Sequence, residues 1–424
     1  METLSLKNSS TARSDALNLL GALLLMIALP PVTYYLWTCV SEFGGELIVP
    51  RSVGEWKSLL ARIPAPTVKA VTLYLAWFLG QAILQIAAPG KVRAGVPLAD
   101  GSRLTYKMNG WFSFWFTIGV CMVLFGAGLL PATILHDEFG PLLTTVNLFA
   151  FAFSIFLYWL GKTSPRSERT SANPVYAYFL GTALNPRIGG FDLKLFCEAR
   201  PGLILWVLIN FSLAAKQYEL HGRVSTPMIL VAAFQFFYIA DYYFHEEAIL
   251  STWDIKHENF GWLLCWGDLV WVPFTYTLQA FYLVHHPHEL PAWGTAAIIA
   301  LNMTGYAIFR GANIQKHKFR KDPTHPIFGK KPDYIQTARG TPLLVSGWWG
   351  ISRHMNYLGD LLMALAWCLP ALFEHPLPYL YLVYFLILLV HRERRDSAMC
   401  LAKYGKDWER YCERVRWRMI PGVY

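Results

Sequence analysis

Between Gly347 and Asp360 the chain packs Trp348, Trp349, Arg353, His354, Asn356, Tyr357 and Asp360 into fourteen positions between hydrophobic stretches. Basic segments frame this passage, with Lys316, Lys318, Arg320 and Lys321 before it and Arg392, Arg394, Arg395 and Asp396 after it. Guanidinium forks and ammonium groups bind phosphate esters, and flat aromatic faces stack on heterocycles. An anionic aromatic cofactor needs that assortment. The cations also fit a plainer role, because each one near a membrane surface adds ~1 kcal/mol of attraction to anionic lipid. At helical spacing Arg392, Arg395, Asp396 and Met399 share roughly one face. A lipid anchor has no use for that carboxylate, whereas a ribose or an amide does; an i,i+4 pair with Arg392 is the alternative. Trp348 and Trp349 fit either a ligand-stacking role between flanking glycines or the interfacial aromatic belt.

A second polar set sits inside apolar sequence. Tyr238, Asp241, Tyr242, Tyr243, His245, Glu246 and Glu247 close one hydrophobic run, Asp268 interrupts the next, and Asp360 opens a later one. Ionisable groups at such depth are costly and point to function, with ion pairing as the structural alternative. A carboxylic acid in an apolar chamber can keep its proton at neutral pH and so serve as a proton donor. No metal site is expected: His245, Glu246 and Glu247 do not continue into the zinc-protease spacing, since Ile249 stands where the second His belongs. His285, His286 and His288 are interrupted by Pro287 and read as a surface loop. The alternating charges Arg187, Asp192, Lys194, Glu198 and Arg200 beside a membrane entry read as a salt-bridged clasp.

Elements must hold these groups, and composition says which kind. The 424 residues are 54% hydrophobic and 15% charged, with a mean hydropathy of +0.32. Soluble domains are nearer one quarter charged. The pattern predicts an all-α, multi-pass transmembrane helical bundle of about ten spans, near 16–40, 67–88, 111–131, 141–161, 201–215, 226–245, 262–284, 293–310, 357–373 and 377–391. Pro30 and Pro31 are expected to kink or break the first span, and Pro273 the seventh; the fifth and ninth read as short. Of the 37 Lys and Arg residues, 30 fall on one side of this topology and 5 on the other, which puts both termini in the cytoplasm. That bias assigns the formal charge of +9 to topology rather than to nucleic acid. The first apolar run lacks a cleavage site and is expected to remain as a span. Seven cysteines without a C-x-x-C pair read as packing thiols. Residues 311–356 read as a long ordered loop. In the tail 391–416, Ala398, Leu401, Tyr404, Trp408, Tyr411 and Val415 predict a helix with one apolar face. Three parts follow: helices one to four with the 184–202 loop (1–200), a central candidate substrate pocket (201–310), and a cytoplasmic C-terminal cofactor-binding part (311–424).

The segment Leu184 to Gly202, the run Gly347 to Asp360, and the tail from His391 to Asp396 with Lys403, Tyr404, Gly405, Trp408 and Tyr411 resemble the integral-membrane sterol reductases. The likeness covers nearly the whole chain after the first span. Leu343 to Gly350 and Ala240 to Glu247 look closest to the sterol C14-reductase and lamin B receptor branch. Met355 stands where that family usually has Pro, and it should loosen the turn slightly. The basic N-terminal chromatin-binding region of the lamin receptor has no counterpart here, so its scaffold role is not expected. The resemblance implies NADPH-dependent reduction of the C14–C15 double bond of a sterol taken from the bilayer. It implies Tyr238, Asp241 and Glu247 as candidate proton donors or relays. By motif match it implies cofactor contacts from Lys316, Arg320, Trp349, His354, Asn356, Tyr357, Asp360, Arg392, Arg395, Asp396 and Tyr404. Lys316 and Arg320 are expected at the adenosine-side phosphates. The membrane would be the endoplasmic reticulum in a eukaryote or the cytoplasmic membrane in a bacterium, with no obligate protein partner. Alternatives are reduction at C7 or C24(28), a non-catalytic sterol scaffold, and an isoprenylcysteine-methyltransferase-like enzyme using S-adenosylmethionine. The last fits the cation density poorly, since its cofactor carries no phosphate.

Overall fold

A computed structural model of the chain describes residues 2–97, 101–164 and 173–424. Arg166 and Arg169, which follow the fourth expected span and belong to the 30 cations on the cytoplasmic side of the expected topology, lie outside the described residues. The chain is mostly helical, and the described strands form three two-stranded antiparallel hairpins. Among the described residues, six helices are long and apolar enough to cross a membrane: Leu17–Glu42, Val68–Ala87, Phe139–Thr163, Leu193–His221, Thr226–Phe244 and Ala292–Lys321. The first leaves Leu17, Leu20, Leu24 and Ile27 exposed, an apolar flank suited to lipid. The chain divides into two compact units, Met1–Pro287 and His288–Tyr424.

In the first unit the opening helix continues through Pro30 and Pro31 rather than breaking there. The Thr33 hydroxyl donates to the Pro30 carbonyl at 2.7 Å, the local back-bond common for a helical threonine. The fifth helix is also longer than its apolar run. It spans Pro201–His221, with Pro at its first turn and Gly222 in the left-handed conformation at its end. The helix after it, Thr226–Phe244, ends at the polar set. The seventh is broken, as its proline suggested, but the disruption begins earlier. Trp262–Trp266 gives way to a π-helical turn at Gly267–Trp271, which holds Asp268, followed by Val272–Thr275 and Leu278–His285. Stacked Trp262 and Trp266, 5.2 Å between centroids, lie with Trp206 among the largest fully buried side chains.

In the second unit helix Ala292–Lys321 continues eleven residues past the expected end of its apolar run, so Lys316 and Arg320 stand on a helix rather than in a loop. It crosses Met355–Cys368 at a pair of glycines. A methyl group on Gly305 would meet the Gly359 carbonyl oxygen at 2.7 Å, and one on Gly359 would meet the Phe309 nitrogen at 2.5 Å. The tail is two helices, not one. Leu380–Tyr404 stops at Gly405, whose φ of 54° turns the chain into Lys406–Arg414. Trp408, Tyr411 and Val415 bury the predicted apolar face against Ile335, while Ala398 and Leu401 stay exposed.

Candidate functional site

Helix crossing in the second unit brings most of the predicted cofactor residues to one place. Lys316 sets its ammonium 3.9 Å from the centroid of the Trp349 ring, and the Trp349 indole donates to the Ala312 carbonyl at 2.8 Å. The indole is thus locked by its own hydrogen bond beneath a cation. His354 stacks on Tyr357 with centroids 4.7 Å apart, and its Nε2 lies 3.7 Å from Asp396 Oδ2. The Asp396 carboxyl is pushed above its ordinary range by burial, against the pull of Lys316 and Arg320. Asn356 points a buried Oδ1 that has no hydrogen-bond donor among the described residues. An orphaned acceptor costs about 1–3 kcal/mol unless a ligand or water donates to it, which is what an incoming carboxamide or hydroxyl would do.

The remaining candidates sit at the margin. Arg392 lies one turn from Asp396 and is half-buried, and Arg395 is exposed. Tyr404 packs with Leu343, Val345, Cys400 and Cys412 around the Trp408 cluster. Asp360 shares a helix face with Tyr357. Met355 occupies the first helical position and buries its side chain in the cluster of Ala312, Phe319 and Trp349. Sequence reasoning missed two groups that hold this region. Glu393, 0% exposed in its side chain, accepts from Arg418 at 2.9 Å and from the Tyr424 hydroxyl at 3.2 Å. Arg353 donates to the Arg416 carbonyl at 3.0 Å, and its backbone N–H to the Trp417 carbonyl at 2.9 Å. The one advance signal was an acid set inside the basic run 392–395.

Burial, and then the charges of Lys316, Arg353 and Arg418, push His354 down to about 3 from its ordinary 6.5. The ring is therefore neutral at physiological pH. Because the unfolded chain binds the proton more readily, its stabilising contribution is complete above pH 6.5 and is lost as pH falls towards 3. Melting curves should show about 2 kcal/mol lost on going from neutral pH to about pH 5. His354→Gln should flatten that acid limb; an unchanged limb would assign it to other groups.

The first unit holds the candidate acids. Tyr238 packs its ring 6.4 Å from Trp206, and Asp241, one turn on, sits 3.2 Å from His245 Nδ1. Burial holds His245 below its ordinary value. Glu247 is not embedded as expected. The helix ends at Phe244 and a 3-10 turn swings Glu247 to the surface, where Arg93 pairs with it at 2.7 Å. The same turn carries Glu246 inward. Arg200, 1% exposed, donates from Nη2 to Glu246 Oε1 at 2.9 Å and to Asn109 Oδ1 at 2.7 Å, and from Nε to Gln85 Oε1 at 2.8 Å. The Gly110 N–H adds a bond to Glu246 Oε2 at 2.8 Å. Burial raises the Glu246 carboxyl, while Arg200 and that N–H oppose the rise. Here the expected clasp is real: Arg187 pairs with Asp192 at 2.8 Å, and Lys194 donates to the carbonyls of Asp254, Ile255 and Glu258.

Comparison with known proteins agrees with the motifs. The pattern of the Ergosterol biosynthesis ERG4/ERG24 family matches residues 11–424. The chain belongs to this family. One relative in it, the "Delta(14)-sterol reductase" of Methylotuvimicrobium alcaliphilum, is 61% identical over 95% of this chain and 94% of its own. The protein of the same name in Dictyostelium discoideum is 47% identical over 96% of this chain and 91% of its own. "Delta(14)-sterol reductase LBR" of Gallus gallus is 43% identical over 94% of this chain but only 62% of its own length. Family membership and six apolar helices make the chain an integral membrane protein.

Proposed function

We propose that this chain is an NADPH-dependent delta(14)-sterol reductase, acting on a sterol drawn from the bilayer. The strongest support is the end-to-end identity of 61% with a relative bearing that name. The C14–C15 alkene of a sterol is not polarised for hydride attack, so an acid must first protonate C15 and leave a tertiary cation at C14. NADPH, when bound, would supply the hydride equivalent for C14. The protein's part is a dry apolar setting and one well-placed proton. Tyr238 and Asp241, half-buried on one helix, are the candidates for that proton. With Glu247 exposed, its role becomes the outer end of a relay at most.

For the cofactor, Lys316 and Arg320 would hold adenosine-side phosphates, including the 2′-phosphate. Trp349 and Tyr357 would offer ring faces, Asn356 its orphaned acceptor, and Arg392, Arg395 and Asp396 further polar contacts, with His354, Asp360 and Tyr404 supporting them. Ten spans with both termini cytoplasmic complete the reading. The helices Gly110–Gly126, Met355–Cys368 and Leu380–Tyr404 and the broken seventh would supply the four spans beyond the six long apolar helices.

Purified protein in detergent, given NADPH and a Δ8,14 sterol, is expected to yield the C14-saturated product by mass spectrometry. Tyr238→Phe should lower kcat by about 10²–10⁴-fold if its hydroxyl is the donor. Arg392→Ala should instead raise the KM for NADPH. Reduction of a Δ7 sterol alone would move the reaction to another bond. No reduction of either sterol, with no thermal protection by NADPH, would overturn the reading.

A further inference from the structure

Each turnover of the proposed reaction consumes one proton in an apolar interior, so the acid must be resupplied. We propose that Asp268, fed through Glu198, is the relay that returns this proton from the cytoplasmic side. The inference rests on the reductase reading and adds a positioning residue that the candidate acids alone do not provide.

Asp268 is the only Asp, Glu, Lys or Arg between Trp262 and Val284. It lies in the π-helical turn Gly267–Trp271, a local defect found frequently at functional sites. The defect is accommodated by its neighbour: a methyl on Gly202 would fall 2.0 Å from the Asp268 carbonyl oxygen, so only glycine permits the approach. Gly267, Asp268, Trp271, Val272 and Tyr276 form the partly accessible face of this segment, while Trp266, Leu269, Val270 and Phe274 are buried. Asp268 Oδ2 is nevertheless closed off and has no hydrogen-bond partner among the described residues. A buried carboxyl oxygen left open in this way calls for a water or a transferable proton.

Its surroundings run in both directions. Towards the candidate acids, Tyr276 on the same face packs 5.2 Å from Trp206, which also lies 6.4 Å from Tyr238. Gln235 on the Tyr238 helix also donates to the Tyr276 carbonyl at 3.1 Å. Towards the cytoplasmic side, Asp268 interacts electrostatically with Glu198, Asp254 and Lys194, and Cys197 and Cys265 complete the titratable groups around it. Glu198 is partly accessible and is felt in turn by Tyr242, beside Arg200 and Glu246. Tyr242 Oη and Arg200 Nη1 are buried and lack hydrogen-bond partners among the described residues, leaving places for bridging water between Glu198 and the Arg200 knot. Lys194 is committed to three backbone carbonyls and is not a carrier. In the relay, Asp268 in its acid form gives the carboxyl proton, through water, to the donor that has lost its own. The Asp268 carboxylate then takes a proton from Glu198, which is recharged from cytoplasmic water. No electrons move, and the sterol gains one proton per cycle.

The test compares wild type, Asp268→Asn, Asp268→Glu and Glu198→Gln as full-length protein in detergent, with NADPH and a Δ8,14 sterol. Asp268→Asn is expected to lose about 10–100-fold in kcat with both KM values within about twofold of wild type. Its solvent deuterium isotope effect should rise as proton delivery becomes limiting, and added formate should restore part of kcat where chloride does not. Asp268→Glu should recover much of the rate, and Glu198→Gln should move kcat and the isotope effect the same way, more weakly. Asp268→Asn with wild-type kcat and isotope effect overturns the relay. So does a loss of kcat that follows a fallen melting midpoint and resists formate. If Asp268→Asn does not fold, wild-type kcat and an unaltered isotope effect in Glu198→Gln overturn it as well. Wild type that reduces no sterol overturns the reductase reading and the relay together, whereas an active wild type matched by Asp268→Asn overturns the relay alone.

Discussion

Arg200→Met is expected to destabilise the protein by about 3–5 kcal/mol, enough to leave little folded enzyme in detergent. The guanidinium ties four elements at one level. Gln85 comes from the end of Val68–Ala87, Asn109 from the cap of Gly110–Gly126, and Glu246 from the turn after Thr226–Phe244, while Arg200 itself precedes Pro201–His221. Methionine fills much of the volume but answers none of those acceptors. Glu246 would be left buried with only the Gly110 N–H, and would take up a proton rather than remain charged. There is no slack to absorb the loss, since a methyl on Gly110 would already meet Glu246 Oε1 at 2.5 Å and Arg200 Nη1 at 2.7 Å. The Tyr243 hydroxyl, bonded to the Ala199 carbonyl, closes the same packing from the side. The double variant Arg200→Met with Glu246→Gln should regain a large part of the loss, because removing both charges removes the unpaired one. Thermal melts of the two variants decide the matter. A single variant within about 1 kcal/mol of wild type would mean the knot carries no structural weight.

What could be read in advance follows from where each signal is stored. Apolar runs are local, so the six long spans emerge from hydropathy at nearly the right places. Their ends do not, because a helix continues wherever backbone bonds continue, whatever its side chains prefer. Thus Ala292–Lys321 carries on through Gln315, Lys316, Lys318 and Arg320, all good helix formers, after the apolar run has ended. Glu246 and Glu247 are indistinguishable as neighbours in sequence, and only the exact end of the preceding helix decides which one turns inward. Glu393 finds Arg418 and Tyr424, partners 25 and 31 residues away, through a return of the chain that no periodicity encodes. The passage 347–360 was legible because its residue types are improbable between apolar runs; Lys316 over Trp349 and His354 beside Asp396 are contacts between helices that the passage alone could not supply.

The other large effect is expected from a single methyl group. Gly359→Ala should raise the KM for NADPH by about 100-fold while leaving the helical content intact. At the crossing of Ala292–Lys321 with Met355–Cys368, the new Cβ would lie 2.5 Å from the Phe309 nitrogen and 2.6 Å from the Gly305 carbonyl oxygen. Both are backbone atoms and cannot rotate away, so the helices themselves must part. Overpacking of this kind usually costs about 1–3 kcal/mol, and backbone obstruction puts this site at the upper end. Lys316 and Arg320 ride on one helix, while His354, Asn356, Tyr357 and Asp360 stand at or within the first two turns of the other. Separation therefore moves the two halves of the proposed cofactor cradle apart, and a displacement near 1 Å is enough to spoil oriented contacts. Gly294→Ala is the matched control, at the start of the same helix, where the nearest neighbour is a Pro291 side-chain atom at an ordinary 3.4 Å. It should bind NADPH as wild type does. Titration of NADPH by thermal shift reads both variants, and a Gly359→Ala protein that binds the cofactor normally would show that the cradle does not depend on this crossing.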